Sequence, residues 1–184
     1  MKIVGIVGSL RRDSWNRKLM RAAEELLPED AEFELWDGLK EIPPYDEDDD
    51  VDPAPAPVAQ LRAAIAGADA VLFATPEYNS SIPGQLKNAI DWASRPVKTT
   101  VLRNKPVAVV GASTGAFGAV WAQADLRRTL GIAGARVLEV ELPVARAHQR
   151  FDSDGKLLDE QLRERLTEIV REVAATVESV SLAA

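Results

Sequence analysis

Five short apolar or β-branched runs punctuate the chain: Lys2 to Val7, Glu32 to Trp36, Ala70 to Thr75, Pro106 to Gly111 and Arg136 to Leu142. Each has the length and residue types of a β-strand. Around them, apolar residues recur at steps of three and four over roughly Ser14 to Leu27, Val58 to Ala66, Pro83 to Ser94, Phe117 to Leu130 and Asp159 to Val180, which predicts helices. Strand and helix alternate throughout, so the pattern predicts an α/β fold with a doubly wound five-stranded parallel sheet and helices on both faces.

The helical stripes are readable residue by residue. Leu19, Ala22 or Ala23, and Leu26 form one, and Leu86, Ala89, Ile90 and Ala93 form a second behind Pro83, which suits a first helical turn. Leu158, Leu162, Leu166, Ile169, Val173, Val177 and Val180 form a third, with Glu and Arg on the other faces. The first, third and fourth strands are apolar nearly throughout, as central strands are, whereas Glu32-Phe33-Glu34-Leu35-Trp36 alternates like an edge. Strand order 2-1-3-4-5 fits, and it places a ligand at the carboxyl ends of strands 1 and 3, where the chain reverses direction across the sheet.

Composition narrows the picture further. The 184 residues suit one domain spanning 1–184, and no apolar run approaches the roughly 20 residues of a membrane span. The apolar run after Met1 is too short for a signal peptide, so the cytoplasm is the expected compartment. Without cysteine there are no disulfides, thiolate metal sites or thiol nucleophiles. A net charge of −7 weighs against nucleic acid as a partner. Much of the acidity falls in Ile42 to Pro57, which reads as an extended, solvated excursion. Its Asp46, Asp48 and Asp50 imitate a calcium loop, but Val51 and Pro57 stand where that loop needs Gly and Glu, so no metal site is expected.

Three loops share the ligand edge. The first, "GSLRRDSWNRKL" from Gly8, lacks both the dinucleotide glycine pattern and the Gly-Lys-Ser/Thr of nucleotide loops. It offers Ser9, Ser14 and Asn16 as donors, Arg11 as a cation, and the free N–H groups of a helix start, a set suited to a terminal phosphomonoester. Read alone, it is equally an N-cap with a solvated basic face. The second, "TPEYNSSIPGQLKNAIDWAS" from Thr75, presents backbone groups and a flat aromatic beside a Pro-initiated helix, or is a plain turn with one Tyr. The third, "GASTGAFGA" from Gly111, is small enough for a ligand to approach its backbone.

That third loop also matches the G-x-S-x-G nucleophile elbow, with Ser113 followed by Asp125 and His148 in hydrolase order. Asp125, however, falls inside the next helix, whereas a triad acid follows a later strand. A phosphoacceptor receiver domain is excluded because strand 3 ends in Thr75-Pro76 and strand 1 in Gly8-Ser9, where that domain needs acidic residues.

Together, "GSLRRDSWNRKL", "PEYNSSIPGQLKNAIDW" and "GASTGAFG" resemble the flavodoxin-like NAD(P)H-dependent FMN reductase family, which includes bacterial quinone, chromate and azo reductases. The resemblance implies a bound FMN whose phosphate is held by Ser9, Arg11, Ser14, Asn16 and the backbone N–H groups of Leu10 and Trp15. Pro76, Glu77, Tyr78 and Asn79 would line the isoalloxazine edge, and Ser113, Thr114 and Gly115 would approach its pyrimidine side. It implies hydride transfer from NAD(P)H through FMN to an acceptor such as free flavin, a quinone, chromate or an azo compound, with no catalytic side chain. A homodimer or homotetramer is implied too, with Ser80 to Leu86 at the interface. A flavodoxin-type FMN electron carrier is the alternative; such carriers use a phosphate loop without the Arg.

Overall fold

The computed structural model describes residues 1–181. In chain order the elements are β1 (Lys2–Val7), α1 (Trp15–Glu24), β2 (Glu32–Trp36), α2 (Ala56–Ala66), β3 (Ala70–Thr75), α3 (Gly84–Ala93), β4 (Pro106–Ala112), α4 (Val120–Ile132), β5 (Arg136–Val137), β6 (Pro143–Val144) and α5 (Glu160–Ser181). All strand pairs are parallel, in the order β2-β1-β3-β4-β5, with β6 also on β4. This is the flavodoxin-like order that the hydrophobic pattern predicts.

Alternation along the central strands feeds two cores. Ile3, Leu72 and Val110 pack with Leu19 and Met20 of α1 and with Leu166, Ile169 and Val173 of α5. Val4, Phe73 and Val109 face the other way, against α2, α3 and α4 through Leu61, Ile65, Leu86, Ile90 and Leu126. Because each core locks one face of the sheet, a one-residue slip of β1 or β3 would reverse every side chain. The carboxyl ends of the strands are therefore fixed relative to one another.

Two helix limits fall inside the predicted spans. Leu27 precedes Pro28, a position biased away from helical geometry, and α1 stops at Glu24. Gly118 and Ala119 have φ of 61° and 63°, which no right-handed helix accepts, so α4 starts at Val120 rather than Phe117.

Two expectations need correction. Arg136 to Leu142 is not one strand. Val107 pairs with Val137, but Gly111 pairs with Pro143, so the edge uses two more residues than β4 over that span. The break is filled by α4. Buried Gln123 accepts from Leu142 N at 3.1 Å, and Arg127 donates to Val140 O at 3.1 Å, taking backbone groups that a continuous strand would have paired with β4.

The second correction concerns Ile42 to Pro57, which is strapped down along α3 at its start. Asn88 donates to Pro43 O at 2.7 Å and accepts from Tyr45 N at 2.7 Å, and Trp92 Nε1 donates to Pro43 O at 2.9 Å. Gln85 adds bonds to Leu39 O and Ile42 O, each 2.8 Å. Further along, Asp50 pairs with Arg62 at 2.8 Å, and Arg62 also bonds Trp92 O. The polar residues of α3 supply donors to a segment that has no ladder of its own, which the acidic composition concealed.

Candidate functional site

A cleft of about 140 Å³ opens where β1, β3 and β4 end. It is smaller than the roughly 300–1,000 Å³ of a pocket that swallows a drug-sized ligand, so it has room for one end of such a molecule and not for the whole. The first loop contributes Ser9, Arg11, Ser14, Trp15 and Asn16, the second Pro76, Glu77 and Tyr78, and the third Ser113 and Thr114. Leu10, Asn79 and Gly115 stand outside the enclosed part. Ala112, which the apolar run of β4 does not distinguish from its neighbours, is an additional wall residue.

Hydroxyl chemistry defines the interior. Ser14 is the N-cap of α1, and its Oγ accepts from Arg17 N at 3.3 Å. Ser9 Oγ accepts from Arg11 N at 3.4 Å, and Ser113 Oγ from Gly115 N at 3.1 Å. Among the described residues none of these three hydroxyls donates a hydrogen bond, so each keeps a proton to give. Ser9 and Ser14 are only 6% and 2% exposed. The N–H groups of Leu10 and Trp15 likewise have no acceptor among the described residues.

Of the basic side chains nearby, Arg17 pairs with Asp37, and Lys18 pairs with Asp13 at 2.9 Å while lying over the Trp15 ring. Arg11 is exposed and belongs to no ion pair among the described residues. Its charge adds to the positive end of the α1 dipole. The cleft thus offers donors and positive potential, which suits an oxyanion with several acceptor oxygens.

The loops are tied together behind the cleft. Asn16 Nδ2 donates to Ala112 O at 2.9 Å, and Asn16 Oδ1 accepts from Ala112 N at 2.9 Å. Its amide is therefore largely committed to β4, leaving one N–H for a ligand. Glu77 turns its carboxylate to the start of α4, accepting from Trp121 N and Ala122 N at 3.0 Å each. It caps a helix whose N-cap, Ala119, has no side-chain oxygen to offer. Both bonds fall on Oε2, so this oxygen is committed to α4.

Tyr78 and Ser81 exchange two backbone bonds of 3.1 Å around Asn79 and Ser80, both at positive φ, the pattern of a type I′ turn. Ser81 Oγ donates to Asp125 at 2.7 Å, and Arg128 pairs with Asp125 at 2.7 Å. The Ser81 hydroxyl, and after it Arg128, hold the Asp125 carboxyl below its ordinary value. These contacts dismantle the hydrolase arrangement, since Asp125 serves Ser81 rather than His148, which is exposed. In the expected interface segment Ile82 and Leu86 are buried in the chain's own core, leaving Ser80 and Gly84 outward.

Comparison with known proteins identifies the family. The model of a family described as NADPH-dependent FMN reductase matches residues 1–149. An NAD(P)H-dependent FMN reductase of Pseudomonas aeruginosa is 45% identical over 89% of this chain and 88% of its own length. A 2-hydroxy-1,4-benzoquinone reductase of Burkholderia sp is 39% identical over 96% of both chains. The solved structure of FerB, a flavoenzyme NAD(P)H:(acceptor) oxidoreductase from Paracoccus denitrificans, superposes with a TM-score of 0.85 at 38% identity, covering 97% of each chain. No helix among the described residues is long and apolar enough to cross a membrane.

Proposed function

Because the chain belongs to the NADPH-dependent FMN reductase family, we propose that its cleft holds the phosphate of FMN at the start of α1 and that the second and third loops carry the ring. The protein is an NAD(P)H-dependent oxidoreductase with FMN as its cofactor. One observation carries the site assignment: Ser9 and Ser14 each retain a hydroxyl proton beside the unpaired cation of Arg11 and the free N–H groups of Leu10 and Trp15. A phosphate dianion only accepts hydrogen bonds, and every member of this set has a proton to donate.

FMN, when bound, would supply the hydride-transfer chemistry between NAD(P)H and an acceptor. The chain's residues position it. Asn16 adds its one remaining N–H to the phosphate cradle. Pro76, Glu77, Tyr78 and Asn79 line one ring edge, where Glu77 and Asn79 keep backbone N–H groups without an acceptor among the described residues, with the Glu77 carboxylate turned to α4. Ser113 Oγ–H and Thr114 N–H donate toward the pyrimidine side, with Gly115 bracing Ser113 from behind. Such donors favour the more anionic reduced ring, and no side chain need act as acid, base or nucleophile.

Residues 1–184 act as one cytoplasmic FMN-binding domain that assembles as a homodimer or homotetramer through the surface at Ser80 and Gly84. Adding NADPH anaerobically to the yellow protein is expected to bleach it rapidly; persistent colour would indicate an electron carrier instead. An acceptor panel of free flavin, quinone, chromate and an azo dye, run with NADPH and NADH, then identifies the substrate class. Light scattering tests the assembly, and a monomer with full FMN content and activity would remove the interface.

A further inference from the structure

The second loop meets α4 at two places. Glu77 Oε2 accepts from Trp121 N and Ala122 N in the first turn of the helix, and one turn further on Asp125 Oδ2 accepts from Ser81 Oγ at 2.7 Å. Asp125 Oδ1 accepts from Arg128 at 2.7 Å, so each carboxylate oxygen has its own partner. Ala122, Asp125 and Arg128 recur at steps of three, which sets them along one face of the helix. The segment from Glu77 to Ser81 is therefore stapled to α4 at both ends, with the cleft residue Tyr78 between the staples. The helix is itself fixed, since buried Gln123 donates to Gly118 O and accepts from Leu142 N, each at 3.1 Å.

The turn between the staples needs holding. Asn79 and Ser80 have φ of 52° and 59°. A type I′ turn favours Asn followed by Gly; Asn79 fits, but Ser80 carries a Cβ in the left-handed region. Such a conformation persists where the surroundings over-determine it. Asn79 and Ser80 are exposed, and the turn is closed by the two Tyr78–Ser81 backbone bonds of 3.1 Å. Asp125 adds the side-chain contact that ties this closure to a rigid element.

We propose that Asp125, backed by Arg128, is a positioning residue for the flavin: through Ser81 it holds the Tyr78–Ser81 turn against α4, and with the turn the free backbone N–H groups of Glu77 and Asn79 at the ring edge. The proposal rests on the flavin reading. Donors held at a ring edge favour the more electron-rich reduced ring, so a turn released from α4 stabilises reduced FMN less than oxidised FMN.

The test is the two-electron midpoint potential of the FMN-loaded protein, measured spectroelectrochemically in wild type, Asp125→Ala, Ser81→Ala, the double variant and Ser81→Thr, which keeps the hydroxyl. In each alanine variant reduced FMN is expected to be held about tenfold less tightly relative to oxidised FMN, a fall of about 30 mV for two electrons. The double variant is expected to match the singles, because all three break the same bond, and Ser81→Thr to stay near wild type. Adding Ser80→Gly to Asp125→Ala is expected to recover most of the loss, since glycine accepts the left-handed backbone unaided. In FMN-free protein the amides of Tyr78 and Ser81 are expected to exchange with deuterium about tenfold faster in Asp125→Ala, with those of β1 unchanged. Exchange needs no flavin, so a wild-type protein that NADPH fails to bleach would overturn the flavin reading while exchange still decides whether Asp125 holds the turn. An unchanged potential in both single alanine variants overturns the proposal, even where the urea midpoint falls, because Asp125 would then serve the fold alone. A double variant whose shift is the sum of the singles overturns it as well.

Discussion

Asn16 in the first turn of α1 and Ala112 at the end of β4 are joined by two hydrogen bonds of 2.9 Å, one in each direction. Both residues are 2% exposed. This clamp fixes the first loop of the cleft against the third.

Removing it should be felt in both fold and cofactor. Asn16→Ala leaves the Ala112 N–H and C=O buried without partners, a loss of about 2–6 kcal/mol at roughly 1–3 per unsatisfied group. Urea denaturation of the FMN-free protein measures the first effect. FMN titration measures the second, where weaker binding is expected because the first and third loops separate.

Arg11 makes the opposite kind of contribution. Being exposed and unpaired, it supports no packing, so Arg11→Ala should leave the urea midpoint nearly unchanged. FMN binding should weaken by about 1.5–3 kcal/mol, the range for a hydrogen bond to a charged group, with a loss that shrinks at high salt. Unchanged FMN affinity would withdraw the phosphate assignment.

Glu77 joins the second loop to α4. Glu77→Ala strips the cap from Trp121 and Ala122 and should cost about 1–2 kcal/mol of stability. Glu77→Gln retains an accepting oxygen and should lose less. Thermal melts of the two variants, run side by side, separate the hydrogen bonds from the charge.

Asp125 predicts a pH dependence. Its carboxyl is held below the ordinary value by Ser81 and then Arg128. A depressed folded-state value means that the stabilisation is present at neutral pH, above the unfolded carboxyl's range, and is lost as pH falls through the folded value. Asp125→Asn should therefore be less stable than wild type at pH 7, with the difference closing below about pH 4, near the unfolded value. Denaturation midpoints at pH 7, 4.5 and 3 follow that convergence, and a constant difference would contradict it.

The hydrophobic pattern by itself determined five helices, four of the strands, their parallel order and the edge where the cleft opens, because each core face imposes a period of two or of about 3.6 on nearby residues. Ser9, Arg11 and Ser14 were legible as well, since an N-cap and its neighbouring loop are local in sequence. Only the tertiary structure decided what meets across the chain. Asn16 finds Ala112 across 96 positions, Glu77 caps a helix 44 positions away, and Gln123 replaces ladder bonds where β5 gives way to β6. A polar side chain in the sequence records only that it can hydrogen-bond. Its partner is chosen by the folded backbone, which leaves particular N–H and C=O groups without a ladder and brings one side chain within reach of each.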